Sequence, residues 1–295
     1  MNKSKCKNSN TFRTLISLSA AVFAAATAYG GVPLNNLQGT GGIAFNPLAY
    51  TAGQPWEGGG TNSLDEVASK PQLGAWYVNL NDAGVNWWAG SAALSFAKRL
   101  EVSAGYGFVN AHKYGDKSIN TYNLGAKAKL LDENAFDTEW VPAVAVGGVY
   151  KYTDSRTVDA LGLDKDGFDA YIVATKLVTE MPWPVLLSAG LLYSDEVVNG
   201  VVGHNHYDVV AFGNVDVLPA ENVAIGLEYK QGVDAGDGIR NHDYWDGHVA
   251  WFVNDKFTLV AAFAETGDKD KFRRGGSAKN LGVGSGLVLS VQYQF

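Results

Sequence analysis

From Leu281 to Phe295 residue types alternate. Odd positions carry Leu281, Val283, Ser285, Leu287, Leu289, Val291, Tyr293 and Phe295, and even positions carry Gly282, Gly284, Gly286, Val288, Ser290, Gln292 and Gln294. A period of two sends successive side chains to opposite faces of a strand. One face is therefore oily with an aromatic end, and the other is small or polar. A water-soluble sandwich can use such a strand. A membrane barrel suits it better, with the oily face toward lipid and the polar face toward a lumen.

The pair Tyr293 and Phe295 resembles the C-terminal signature of bacterial outer-membrane β-barrel proteins. That resemblance implies that the two aromatics act as an assembly signal for the barrel-assembly machinery, and that the chain resides among outer-membrane lipids. The N-terminus agrees. Lys3, Lys5, Lys7 and Arg13 give a basic start, an apolar run from Leu15 to Ala26 follows, and Ala26-Thr27-Ala28 offers a cleavage site. Those three parts define a secretory signal peptide over residues 1–28. The apolar run is too short to span a bilayer. The expected location is the bacterial outer membrane, reached through the periplasm.

Removing residues 1–28 leaves 19 Lys and Arg against 30 acids, a net charge of −11. No basic block remains to track phosphates, so nucleic acid is not an expected partner. The single cysteine, Cys6, lies in the signal segment, so the mature chain has no disulfide to staple it. No long apolar run follows residue 28. The spanning solution left is a closed barrel, in which every backbone donor finds a partner. A content of 35 glycines and 18% charged residues suits strands and turns.

About twelve strands are expected in residues 72–295, near 72–80, 85–97, 100–112, 119–131, 141–153, 168–178, 184–195, 205–218, 223–233, 243–253, 257–266 and 282–295. Connections after even strands are short. Those after odd strands are mostly longer, polar and glycine-rich, as in Asp154–Gly167 and Gly267–Leu281. The fold class is thus all-β, a transmembrane antiparallel up-and-down barrel with periplasmic turns and outer loops. Aromatics gather at both expected rims. Trp87, Trp88, Tyr106, Tyr150, Tyr171, Tyr193, Tyr229, Tyr244 and Trp245 mark the outer one, and Phe96, Trp140, Trp183, Trp251 and Phe257 the inner one. Phe212 and Phe263 are exceptions.

Residues 29–71 break the pattern. They are rich in Gly and Asn, and counting a strand there would make thirteen and break the rule of sides. They are read as an N-terminal plug or periplasmic cap. The run Gly41-Gly-Ile-Ala-Phe-Asn-Pro-Leu-Ala-Tyr50 resembles the mature start of an uncharacterised family of exported bacterial barrels, which implies a fold but no activity.

Extending the alternation strand by strand assigns the lumen. Strand four turns Lys127 and Lys129 inward, strand five Lys151 and strand six Lys176, although Ile172 on that last face argues against the register. Strand eight turns Asp208 and Asp216 inward, strand nine Glu228 and strand ten Asp246. Basic strands four to six then oppose acidic strands eight to ten across the lumen, setting up a transverse field. Alternatively these charges pair, directly or through the N-terminal segment, and fill the interior.

His204, His206, His242 and Asp243 lie near the outer rim. Such residues suit a rim hydrolase or a divalent metal, but loop His and Asp are usually solvated, and neighbouring positions reproduce no lipase-like or omptin-like motif. No phosphate loop and no H-E-x-x-H occurs. The three alternating glycines near residue 284 follow a strand period, and Asp268-Lys269-Asp270 is too short for a calcium hand. The expectation is therefore no enzyme, no metal and no cofactor. The leading expectation is a passive channel for small polar solutes, with a structural or adhesive barrel of closed lumen as the alternative.

Overall fold

The computed structural model describes residues 34–54, 67–81, 83–111, 117–156, 159, 164–201, 203, 206–234, 236, 240–267 and 282–295. The proposed signal peptide, His204 and most of the loop Gly267–Leu281 lie outside them. Among the described residues are twelve strands: β1 (Gln72–Leu80), β2 (Val85–Phe96), β3 (Leu100–Ala111), β4 (Lys117–Leu131), β5 (Ala143–Asp154), β6 (Asp166–Val178), β7 (Val185–Ser194), β8 (Asp208–Ala220), β9 (Val223–Lys230), β10 (Tyr244–Phe252), β11 (Phe257–Glu265) and β12 (Ser285–Gln294). Each end falls within three residues of the sequence expectation. Every strand pairs antiparallel with its sequence neighbours, and β1 closes the cylinder on β12 in the register Gln72↔Gln294 to Asn79↔Leu287. Closure leaves no edge strand, which satisfies the backbone without water.

Period two holds around the ring. In β4, Tyr122, Leu124 and Ala126 face out while Asn123, Gly125 and Lys127 are buried. In β9, Ile225, Leu227 and Tyr229 are exposed and Ala224, Glu228 and Lys230 buried. The outer surface is apolar: Leu124 and Leu227 are 62% and 63% exposed. This is the surface of a barrel solvated by acyl chains.

Aromatic girdles flank that band. At the long-loop end Trp88, Tyr106, Tyr122, Tyr150, Phe168, Tyr193, Tyr229 and Trp245 are exposed. Tyr106 and Tyr122 touch across β3 and β4 with ring centres 5.3 Å apart. At the short-turn end Phe96, Trp140, Trp183, Trp251, Phe257 and Phe295 are exposed, and Tyr293 packs between Phe257 and Phe295 at 4.8 and 4.9 Å. Three expected girdle residues correct the reading. Trp87, Tyr171 and Tyr244 are buried in the interior, because each is one step out of phase with an exposed neighbour (Trp88, Ile172 and Trp245). Phe212 also faces inward, which explains its mid-strand position.

Strand ends follow from turn chemistry. Between β2 and β3 the N–H of Arg99 donates to the carbonyl of Phe96, with Ala97 and Lys98 both left-handed at φ 47° and 55°. This tight turn has the twist that antiparallel strands require.

The lipid-facing assignment predicts that Leu124→Arg, near the middle of the longest strand, destabilises the barrel by about 2–4 kcal/mol. Folding titrations into lipid vesicles measure it, and a neutral outcome contradicts the orientation.

Candidate functional site

Residues 34–54 form no strand but run inside the barrel, and from Leu34 to Gly53 every residue is buried. Buried backbone without a ladder still needs partners. Part of the need is met internally. The Asn36 side-chain oxygen accepts from the N–H groups of Gln38 and Thr40, Leu37 N–H donates to Ala44, and Leu48 N–H donates to Gly41. The wall supplies the rest. Glu228 accepts the N–H groups of Ala44, Phe45 and Asn46 at 3.1, 3.0 and 2.7 Å. On β3, Glu101 accepts Gly41 N–H at 2.8 Å and Ala52 N–H at 2.7 Å. Lys127 Nζ donates to the carbonyls of Gly41, Leu48 and Tyr50 at 3.0, 3.2 and 2.6 Å and lies 2.9 Å from Glu101. Gly39, at φ 103°, sits against the backbone of Ala104, a place where a side chain has neither the conformation nor the room.

The segment crosses from wall to wall. Asn35 bonds Gln292 and Gln72 where β1 meets β12. Asn46 reaches Gly213 and Tyr229, and Ala49 N–H donates to Thr175. Tyr50 hydroxyl donates to Glu133 at 2.6 Å in the β4–β5 turn. Burial, reinforced by Glu133, holds the Tyr50 phenol well above its usual range. Leu34, Leu37, Ile43 and Leu48 join one interior cluster with Trp76, Trp87, Val173 and Phe212.

Two further charge centres lie outside this clamp. Toward the long-loop end, Glu196 from the β7–β8 connection is paired with Lys151 at 2.8 Å and with Lys230, and Lys151 also pairs with Asp169. Burial alone would raise the Glu196 carboxyl, but the two lysines outweigh it and hold it well below the usual range. Between β8 and β10, His248 lies between two carboxylates, its Nε2 2.7 Å from Asp216 and its Nδ1 2.7 Å from Asp246. Asn214 donates to Asp216.

Of the expected lumen residues, Lys127, Lys151, Asp216, Glu228 and Asp246 are buried in the interior. Lys129 is part exposed and pairs with Asp132 at the β4–β5 turn at 2.8 Å. That hydrogen bond holds the Asp132 carboxyl below its usual range. Asp208 is half-buried at the long-loop rim and accepts Asp234 N–H. Lys176 is corrected. The inner face of β6 runs through Asp169, Tyr171, Val173, Thr175 and Leu177, which puts Lys176 on the outer face with Ile172. Near the strand end its stem bends so that Nζ meets Glu133 at 2.9 Å. The lumen charges do not stand as two opposed walls either. Lys127 and Lys151 each find a carboxylate on the adjacent strand, Glu101 and Asp169, which the sequence reading left out. Strict alternation against Val102 and Phe168 contains the signal for both. Glu196 belongs to a loop, where no period assigns a face.

At the rim, His242 Nδ1 meets the backbone oxygen of Asp243 at 2.9 Å, and Asp243 accepts from Tyr229 hydroxyl and Gly232 N–H. These contacts brace a loop; His206 is exposed. Among the described residues no group of three or more His, Cys, Asp or Glu side chains is arranged to hold a metal ion.

Residues 30–276 match the family described as "Protein of unknown function (DUF3034)". The chain belongs to this family. None of the curated proteins matches the sequence. Among solved structures, a KdgM porin is similar with a TM-score of 0.49 and 11% identity, over 76% of this chain and 99% of that one. The outer membrane protein Omp33 of Acinetobacter baumannii gives 0.43 and 13%, over 78% and 100%. The COG4313 outer membrane channel of Pseudomonas putida F1 gives 0.43 and 13%, over 81% and 98%.

Asp195, beside Glu196, is buried with neither carboxylate oxygen hydrogen-bonded by another protein group. Burial pushes its carboxyl up to about 6. The folded state therefore keeps a proton that the unfolded chain releases between about pH 4 and pH 6, so the residue costs stability above pH 6. Asp195→Asn is expected to raise stability by about 1–3 kcal/mol at pH 7.5 and to leave it unchanged near pH 3.5. Denaturant titration of the two proteins at both pH values checks the sign.

Proposed function

We propose that this protein is an integral outer-membrane channel for small polar solutes, closed at rest by residues 34–54. The observation that carries this reading is what fills the lumen. A barrel of about eight strands fills its interior with side chains of its own wall. Here Glu101, Lys127 and Glu228 instead hold the backbone of a segment that belongs to no strand. Withdrawal of that segment leaves ionic groups lining a passage, and buried ions of this kind favour water once their partners leave. No catalytic step forms part of this reading.

In this view the short-turn end faces the periplasm, the long-loop end faces outward, and residues 34–54 enter from the periplasmic side. Planar-bilayer recording tests it. The wild-type protein is expected to conduct little, and deletion of residues 34–54, or Glu228→Gln combined with Glu101→Gln, to raise open-channel current at least several-fold. A barrel that folds and stays silent with and without the segment is the outcome expected of a structural or adhesive protein, and it overturns the channel.

Tyr293, half-buried, and Phe295, exposed beside it at the short-turn rim, are proposed as the contact with the assembly machinery. Deleting Phe295 is expected to reduce folded barrel in the cell membrane while leaving refolding from urea into detergent intact. Equal loss in both settings points to a structural role alone.

A further inference from the structure

Lys151 on β5 and Lys230 on β9 stand four strands apart in the ring, yet their ammonium groups converge on the same side chain. Two cations held this close without water need an anion between them. The wall supplies only half of what is needed. Asp169 on β6 pairs with Lys151 and the Tyr244 ring on β10 lies 5.7 Å from the Lys230 ammonium, but among the described residues the hydrogen-bond partners of Lys230, Glu196 and the amide oxygen of Asn199, both come from the β7–β8 connection. The strands alone therefore present a site with one positive charge in excess, which a loop carboxylate neutralises.

The way Glu196 is held is the way a free carboxylate is held. One oxygen takes Lys230. The other takes Lys151 at 2.8 Å, the N–H of Gly200 at 3.1 Å and the amide of Gln38 at 3.4 Å. Both oxygens of the carboxylate are thus met by charged or polar donors, two of them ammonium groups. Glu196 lies in no strand, so no ladder hydrogen bond fixes its backbone in the wall. Gly200, at φ 81°, lets the connection turn back so that its own N–H reaches the carboxylate.

We propose that Lys151 and Lys230 form a binding site for small carboxylate anions at the long-loop end of the lumen, and that Glu196 occupies it as a built-in ligand. When the β7–β8 connection withdraws, a solute carboxylate takes the place of the glutamate. This inference rests on the channel reading for its physiological meaning and names the solute class, small organic acids. The site itself is testable without any current. The Asn214, Asp216, Asp246 and His248 group differs from it, since each of its charges is met by a partner on the wall itself.

The test is chemical rescue of Glu196→Ala in the full mature chain refolded in detergent. The substitution leaves two facing ammonium groups and a hole of about the size of acetate. Sodium formate or sodium acetate at tens of millimolar is expected to raise its unfolding temperature by at least about 3 °C above equal ionic strength of sodium chloride or sodium sulfate. The gain is expected to vanish in Glu196→Ala with Lys230→Met and to be absent in the wild type, where the site is full. Equal shifts with chloride and acetate, or none with either, overturn the proposal. Should Glu196→Ala fold only in added anion, folding in formate or acetate but not in chloride is the supporting result, and folding in none of them is the overturning one. A rescued variant that never conducts separates the two claims, leaving the site intact and removing the channel.

Discussion

In a hydrocarbon layer a peptide group that lacks a hydrogen-bond partner costs several kcal/mol, and no water is at hand to supply one. The closing of β1 on β12 meets that constraint, and most of what the sequence shows follows from it. Stability without a disulfide follows because the cylinder has no edge to open. Oily side chains are free to face outward because acyl chains replace the core that a soluble fold would need. Trp and Tyr then settle at the two rims, where one end of the ring is wet and the other is not.

Closure moves the difficulty inward. A ring of twelve strands encloses more space than its inward side chains fill, and several of those side chains are charged. Removing one partner of a buried ion pair typically costs about 3–5 kcal/mol, so each charge must be answered. Apart from the carboxylates around His248 and the unpartnered Asp195, the molecule answers them in three ways. Neighbouring strands pair Lys127 with Glu101 and Lys151 with Asp169. A loop brings Glu196 to the two lysines near the long-loop end. Residues 34–54 offer their backbone, N–H groups to Glu101 and Glu228 and carbonyls to Lys127. The irregular segment is tolerated at membrane depth because it lies within protein, where many of its peptide groups find partners. The same feature makes it removable in principle, since its hold is made of hydrogen bonds to side chains and not of a strand ladder.

Alternation was the most legible signal, and its failures are instructive. It placed Leu124, Lys127, Leu227 and Glu228 on their faces because each lies in a long run with a clear partner set. It misled at Lys176, where a strand end allows a long cation on the outer face to bend back to an acid at the rim. Position near a rim misled where alternation did not: Trp87, Tyr171 and Tyr244 were expected in the girdle, although the phase of their neighbours turns them inward, as alternation along β10 places Tyr244. Glu101 and Asp169 follow the same rule, since each alternates with an exposed apolar neighbour, Val102 and Phe168. Glu196 was not readable at all.

A period of two is local: steric and hydrogen-bonding rules fix the face of residue i from those of its neighbours. The sequence by itself therefore determined that this chain makes antiparallel strands, how many, where they turn and which side chains meet lipid. It did not determine which charges meet. Lys151, Glu196 and Lys230 are joined by the radius of the ring and the course of one loop, and Glu228 is met by residues 44–46 from the far side of the chain. Those distances exist only after the last strand has paired with the first, because only closure sets the size of the interior in which the charges have to be paired.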